Sequence, residues 1–301
     1  MDYGRELEFG YFLVPEAADY PGLLEAARTA DQAGLDFVAV QDHPYQRRFF
    51  DTWTLITALA AQTERIRYVP DVANLPLRPP AVLAKAAASL DVITGGRVEL
   101  GLGAGGFWDA IAAMGGPRRT PGEAIGALSE AIDVIRAVWS GERGRRYDGT
   151  HYRLAGHNPG PTPAHPIGIW LGAYQPKMLA LTGAKADGWL PSSGYLPPEK
   201  LAGAHSRIDD AAREAGREPD SIRRAYNVMG SFDAQPRGFL NGPVDQWVDE
   251  LVELATSNGI DTFLLATEGD PAHDIATFAE QVVPAVRDAV AAERAGSVPA
   301  P

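Results

Sequence analysis

The chain has 301 residues, of which 45% are hydrophobic and 22% charged, with no cysteine and a formal net charge of −12. The missing cysteines exclude disulfides and thiolate chemistry, and the acidic balance argues against a nucleic-acid or anionic-membrane partner while leaving room for an anionic cofactor in a local pocket. No run of about 18 apolar residues predicts a membrane span, and the opening MDYGRELEFG lacks the basic and apolar regions of a secretory signal, so a cytoplasmic protein is expected.

In chain order, strands and helices alternate. Phe9 to Val14 reads as a first strand stopped by Pro15, and Tyr20 to Ala33 as a helix with Leu23, Leu24, Ala27 and Ala30 at helical spacing, capped by Gly34. Leu35 to Val40 is a second strand that ends at Gln41-Asp42-His43-Pro44, followed by a helix over Trp53 to Thr63. Ile66 to Ala73 is a third strand, broken late by Pro70. Pro79 and Pro80 suit the first turn of a helix over Ala81 to Val92, Gly95-Gly96 stops it, and Arg97 to Leu102 is a fourth strand opening into Gly101-Leu102-Gly103-Ala104-Gly105-Gly106. Glu123 to Trp139 is a strong helix with Ile125, Leu128, Ile132, Ile135 and Val138 on one face. The polar stretch 141–166 reads as an insertion between that fourth helix and a fifth strand over Ile167 to Leu171. Helices over Met178 to Ala184, Pro198 to Ala215, Val244 to Ser257 and Ala272 to Ala292 then alternate with strands at Gly188 to Leu190, Ile222 to Met229 and Ile260 to Ala266. The tail after Gly296 is expected to fray.

Strict alternation implies parallel strands with helical crossovers, and eight such units in about 290 residues match a (β/α)8 TIM barrel occupying 1–301 as one domain, with a doubly wound sheet as the alternative. In such a barrel the chemistry belongs at the C-terminal ends of the strands. Asp42-His43 stands at one such end, where the histidine can trade a proton near neutral pH or merely satisfy a loop. Asp71-Val72-Ala73-Asn74 places polar residues in an apolar run, which reads as a bulge or as an ordinary irregular strand end. Ala173-Tyr174-Gln175-Pro176-Lys177 opens a helix, where free N–H groups and a lysine can hold an anion or simply form a capped start. Gly101 to Gly106 formally matches the dinucleotide fingerprint, but it follows the fourth strand and no acidic strand end lies about 20 residues on, so close packing of a flat ring suits the glycines better. No metal site is expected: His151, His157 and His165 have no ligand spacing, and HExxH is absent. Ser192-Ser193-Gly194 is not a nucleophile elbow. Glu16, Phe107 and Trp108 stand where they can line a substrate pocket.

Four segments carry a resemblance across nearly the whole chain: VQDHPY, NLPLRPPAVLAKAAASLDVITGGRVELGLGAG, AIDVIRAVWSGERGRRYDGTHY and LGAYQPKMLALTGAKADGWLPS. They resemble the bacterial luciferase-like flavin-dependent oxidoreductases, and most of all the branch that uses the deazaflavin coenzyme F420. The resemblance implies a barrel with the flavin ring at its C-terminal rim and a cis peptide between Asp71 and Val72 backing that ring. It implies that Asp42, His43, Asp71, Val72, Ala73, Asn74, Gly103, Ala104 and Gly105 contact the cofactor, with Ala173, Tyr174, Gln175, Pro176 and Lys177 around its phosphate. Gln175 stands where a glycine is common. His43 is then the catalytic acid or base and Asp42 its orienting partner or a ligand of the ring. Some deazaflavin dehydrogenases that act on sugar phosphates carry a glutamate after strand four. Here that loop reads Gly-Ala-Gly-Gly-Phe-Trp, which points to a small, less polar substrate. FMN is the alternative cofactor, with monooxygenase chemistry, and a ligand carrier without turnover is the reading from another class. A homodimer is common among such proteins and is expected here.

Overall fold

In the computed structural model, which describes residues 1–296, the tail expected to fray lies outside the described residues. The first half runs β1 (Glu8–Leu13), α1 (Tyr20–Gln32), β2 (Phe37–Val40), α2 (Thr52–Ala60), β3 (Arg67–Pro70), β4 (Ala73–Asn74), α3 (Pro80–Thr94), β5 (Leu100–Gly103), α4 (Trp108–Ala113) and α5 (Pro121–Trp139). A hairpin of β6 (Arg145–Asp148) and β7 (Arg153–His157) follows. The second half runs β8 (Ile169–Leu171), α6 (Pro176–Lys185), β9 (Gly188–Trp189), α7 (Leu201–Glu214), β10 (Arg223–Met229), β11 (Ser231–Phe232), β12 (Asn241–Gly242), α8 (Val244–Thr256), β13 (Thr262–Ala266), α9 (Pro271–Thr277) and α10 (Val283–Gly296).

Nine strands form one parallel sheet in the order β3-β2-β1-β13-β10-β9-β8-β5-β4. β3 and β4 are two pieces of one strand, and Tyr68 bridges Val98 in parallel to bring the two edges together. The result is an eight-position, nearly closed TIM-like barrel. Parallel strands buried on both faces read as continuous apolar runs, as in Phe37–Val40 and Thr262–Ala266. Alternate side chains point inward: Phe37, Ala39, Val69, Trp170, Leu190, Ala225 and Leu264 form the barrel interior, while a larger cluster packs between strands and helices. Phe37 and Trp170 meet edge to face at 5.2 Å. Gly10 and Gly188 make room for them, because a Cβ there would lie 2.7 Å from Phe37 Cβ and 2.6 Å from the Trp170 ring. The N-terminal mouth is sealed by ion pairs: Glu8 with Arg67 and Arg223, and Asp261 with Arg223 and Arg5. Sealing one end leaves the other for chemistry.

Several boundaries differ from the sequence expectation. The third strand is interrupted at Asp71-Val72 and resumes as β4. Trp108 begins a short helix rather than lying in a loop. The insertion holds an antiparallel hairpin, tied to α5 because Glu130 accepts the N–H groups of Thr150, His151 and Tyr152 at 2.8–3.0 Å. His165, at its end, is a structural clip: Nδ1 lies 2.8 Å from Asp91 and Nε2 3.5 Å from Glu99, and Glu99 and Asp91 hold its pKa above the ordinary histidine value. The last helix is not continuous. Pro284 has no N–H to donate, and the Val283 N–H reaches back to the Phe278 carbonyl in a π turn between α9 and α10.

Gly101 on β5 faces the Pro70 carbonyl oxygen, which a Cβ would strike, so Gly101→Ala should lower the free energy of unfolding measured in urea by about 1–3 kcal/mol. Gly203, inside α7 with open space around it, should show the opposite sign, since Gly203→Ala is expected to stabilise by about 0.4–1 kcal/mol.

Candidate active site

The C-terminal strand ends surround a cavity of about 450 Å³. Its back wall is the interruption between β3 and β4. The Asp71–Val72 peptide is cis, and Val72 packs where two glycines leave space. A Cβ at Gly103 would lie 2.8 Å, and at Gly172 3.2 Å, from Val72 Cγ2. The glycines of the fourth and fifth barrel strands thus bring their backbones against the bulge.

Asp42 follows β2 and is buried. Its carboxylate accepts Arg78 Nε and Nη2 and the Asn74 N–H, each at 2.9 Å. Arg78 also donates to Asp51, the N-cap of α2, at 2.7 Å. Asp42 therefore fixes β4 and the approach to α3; no hydrogen bond joins it to His43. His43 is half-buried, stacked on Tyr45 at 5.4 Å and edge-on to Phe107 at 5.4 Å. Burial lowers its pKa below the ordinary histidine value, opposed by the Asp42 charge, so the ring is neutral at pH 7. Burial also pushes the Tyr45 phenol up to about 12. Asp71 behaves in the opposite way to Asp42. It has no cationic partner, and burial pushes its carboxyl up to about 7, with the Asn227 amide pulling it down.

Of the residues singled out in the sequence, Asp42, His43, Asp71, Val72, Ala73, Asn74, Gly103, Ala104, Gly105, Phe107, Tyr174 and Gln175 line this cavity. Five do not. Ala173 is buried behind the wall, its carbonyl accepting Trp189 Nε1 at 2.9 Å. Pro176 and Lys177 are exposed and lie off the lining. Trp108 packs outside, against Gly105. Glu16 pairs with Arg48 and lines a second cavity of about 930 Å³, which shares Phe12 with the first. The sequence pattern does not single out Asn227, Tyr195 or Arg78, and it raises Ser192 only as a nucleophile, although Ser192 lines the cavity. Asn227 carried a signal, a lone polar residue near the end of the apolar seventh strand; Arg78 carried none, because its partner lies 36 positions away.

Residues 7–237 match the family described as Luciferase-like monooxygenase, and the chain belongs to that family. It is a flavin- or F420-dependent oxidoreductase of that family. It is 32% identical over 244 residues to an F420-dependent glucose-6-phosphate dehydrogenase of Nocardia farcinica, covering 77% of this chain and 70% of the relative. A 5,10-methylenetetrahydromethanopterin reductase of Archaeoglobus fulgidus is 31% identical over 229 residues, covering 75% of this chain and 65% of the relative. The fold matches an F420-dependent secondary alcohol dehydrogenase in complex with an F420-acetone adduct, with a TM-score of 0.84 and 21% identity, over 94% of this chain and 100% of the other. The cavity suits a flat cofactor of this kind. Asp71 Oδ2, Asn74 Oδ1 and Asn227 Oδ1 are buried acceptors without donors, in the wall where Gly103 and Gly172 admit Val72. A ring bearing an imide N–H and a hydroxylated side chain offers donors to such a wall.

Two stability measurements check these assignments. Arg78→Met strands the Asp42 carboxylate and should cost about 3–5 kcal/mol in urea unfolding. Asp71 binds its proton to a higher pH in the folded chain than in the unfolded one, so its contribution falls as pH rises from about 4 to about 7 and is flat above. Asp71→Asn should therefore stabilise the protein at pH 8 by on the order of 4 kcal/mol, a gap that narrows toward pH 4.

Proposed function

We propose that the chain is an F420-dependent oxidoreductase that transfers a hydride between the deazaflavin C5 and a small organic substrate. The observation that carries this reading is the glycine-lined slot against Val72 at the strand ends, with neutral His43 at its edge and relatives near 30% identity named as F420-dependent dehydrogenases. The bound cofactor supplies the hydride chemistry. Val72 and its flanking glycines back one face of the slot and leave the other to substrate. His43, neutral and open to the cavity, takes or gives the accompanying proton. Asp42, held by Arg78, keeps β4 and Asn74 in place. The start of α6, with Gln175 and Met178 on the cavity lining, offers its free N–H groups to a phosphate, and Lys177 adds positive charge from outside.

The substrate side argues against a sugar phosphate. No lysine or arginine lines either cavity, and the second is edged by Glu16, Asp19, Glu25, Glu268 and Asp270. A phosphate would meet repulsion there. Phe107, Tyr45 and Tyr195 favour a less polar molecule. The working unit is a homodimer, supported by Val82, Val92 and Ile93, exposed by 64%, 47% and 74% on α3.

Mixing the purified protein separately with F420 and FMN and following fluorescence quenching tests this reading. Tight binding of F420 alone is the expected result. Preference for FMN, with oxygen uptake, would replace hydride transfer by monooxygenation. His43→Ala should keep cofactor binding and lose about 10²–10⁴-fold in turnover; a ligand carrier would show no turnover to lose.

A further inference from the structure

Two carboxylates line the same cavity in opposite electrostatic settings. Asp42 has a guanidinium and a backbone N–H. Asp71 has neither, and its Oδ2 is sealed without a donor. The groups that face Asp71 from the surrounding elements are few. β10 presents the Asn227 amide, whose Nδ2 already donates to Ser192 Oγ at 2.9 Å. The loop after β8 presents the Tyr174 phenol, with its own pKa raised by burial. The end of β2 contributes Asp42, His43 and Tyr45, and the segment after β9 contributes Tyr195; the loop after β5 brings glycines, Ala104 and Phe107. No cation stands among them. The carboxyl is already poised near neutrality, at about 7, in the open cavity.

A flat ring over this cavity closes what is left open beside the sealed Oδ2 and brings no cation to a carboxylate there. A neutral carboxylic acid presents one donor and one acceptor side by side. With Oδ2 sealed, one oxygen is left to meet an –NH–CO– edge, and in the acid form it can donate to the ring carbonyl or accept from the ring N–H. A carboxylate offers acceptors only, and would repel the adjacent carbonyl oxygen. Flavins and deazaflavins share such an imide edge.

We propose that loading the ring into this cavity takes up one proton from solvent, held by Asp71, and that Asp71 in its neutral acid form recognises the imide edge of the ring. The inference rests on the reading of this site as a flavin or deazaflavin site. Asp71 binds and positions the ring; the proton that accompanies turnover belongs to His43.

Calorimetric titration of F420, with FMN in parallel, into the wild-type protein and Asp71→Asn, each in two buffers of different protonation enthalpy, counts the protons directly. Ionisation of the ligand itself and of His43 is common to both proteins and cancels in the difference. The expected result is that the wild type takes up about 0.9 proton more than Asp71→Asn at pH 8 and about 0.1 more at pH 6. Above pH 7 the wild-type Kd should weaken tenfold per pH unit relative to the variant, whose amide mimics the acid. Equal uptake in the two proteins overturns the proposal, as does an Asp71→Asn protein that folds yet fails to bind the ring at pH 6. If the variant does not fold, infrared difference spectra of wild type labelled with carboxyl-¹³C aspartate decide the matter: ring binding at pH 8 must produce a label-shifted carboxylic-acid C=O band, and its absence overturns the proposal. Binding of neither ring by the wild type would sink the functional reading and the inference with it, whereas binding without proton uptake sinks the inference alone.

Discussion

The Asp42 carboxylate is the interaction on which the site depends. It sits in the barrel wall with no access to water and is tolerable there only because Arg78 meets it with a two-pronged guanidinium and Asn74 gives it a backbone N–H. Those three bonds join the end of β2, the resumed strand β4 and the turn into α3. Asp51 adds the start of α2 to the same guanidinium. Moving any one of these elements would strand a charge in low dielectric. The interruption of the third strand, and the cavity wall it makes, are held in place by that cost.

Around this anchor the barrel divides its polarity between its two ends. Glu8, Arg67, Arg223 and Asp261 neutralise one another across the N-terminal mouth. Aromatic and aliphatic side chains fill the middle, Phe37 against Trp170. At the C-terminal end the packing stops short of the cavity: the glycines at 103 and 172 admit Val72 into its wall, and the polar groups there are only partly satisfied. A protein interior rarely leaves buried acceptors without donors, and here three of them, on Asp71, Asn74 and Asn227, stand on the walls of one cavity. Burial acts on a base and an acid with opposite sign, holding His43 below its ordinary pKa and pushing Asp71 up to about 7. A histidine and a carboxyl without a cation thus share a cavity with a carboxylate that Arg78 pairs.

Much of this was legible in the chain itself. Pro80 at the start and Gly95 at the end of α3 mark a helix through backbone chemistry that needs no tertiary contact. Asp71 and Asn74 stood out as polar residues in an apolar run, and Asn227 stood out in the same way without being weighed. The glycine loop matched a phosphate fingerprint by spacing, yet Gly103 serves to admit Val72 from a neighbouring strand. Lys177 is next to a helix start in sequence, but its side chain leaves the cavity because the first turn of α6 directs it outward to solvent. The role of Arg78 was invisible, since an arginine before two prolines says nothing of a carboxylate in another unit.

The sequence by itself determined the alternation of strands and helices, hence a parallel barrel, and the end of that barrel where chemistry belongs. These follow from local periodicity and from the rule that parallel strands need crossovers. Tertiary structure alone decided which strand-end residues share a wall, which carboxylate is neutralised and which is left without a cation, and where the third strand breaks. Those outcomes depend on contacts between residues tens of positions apart, and on burial, which no local pattern encodes.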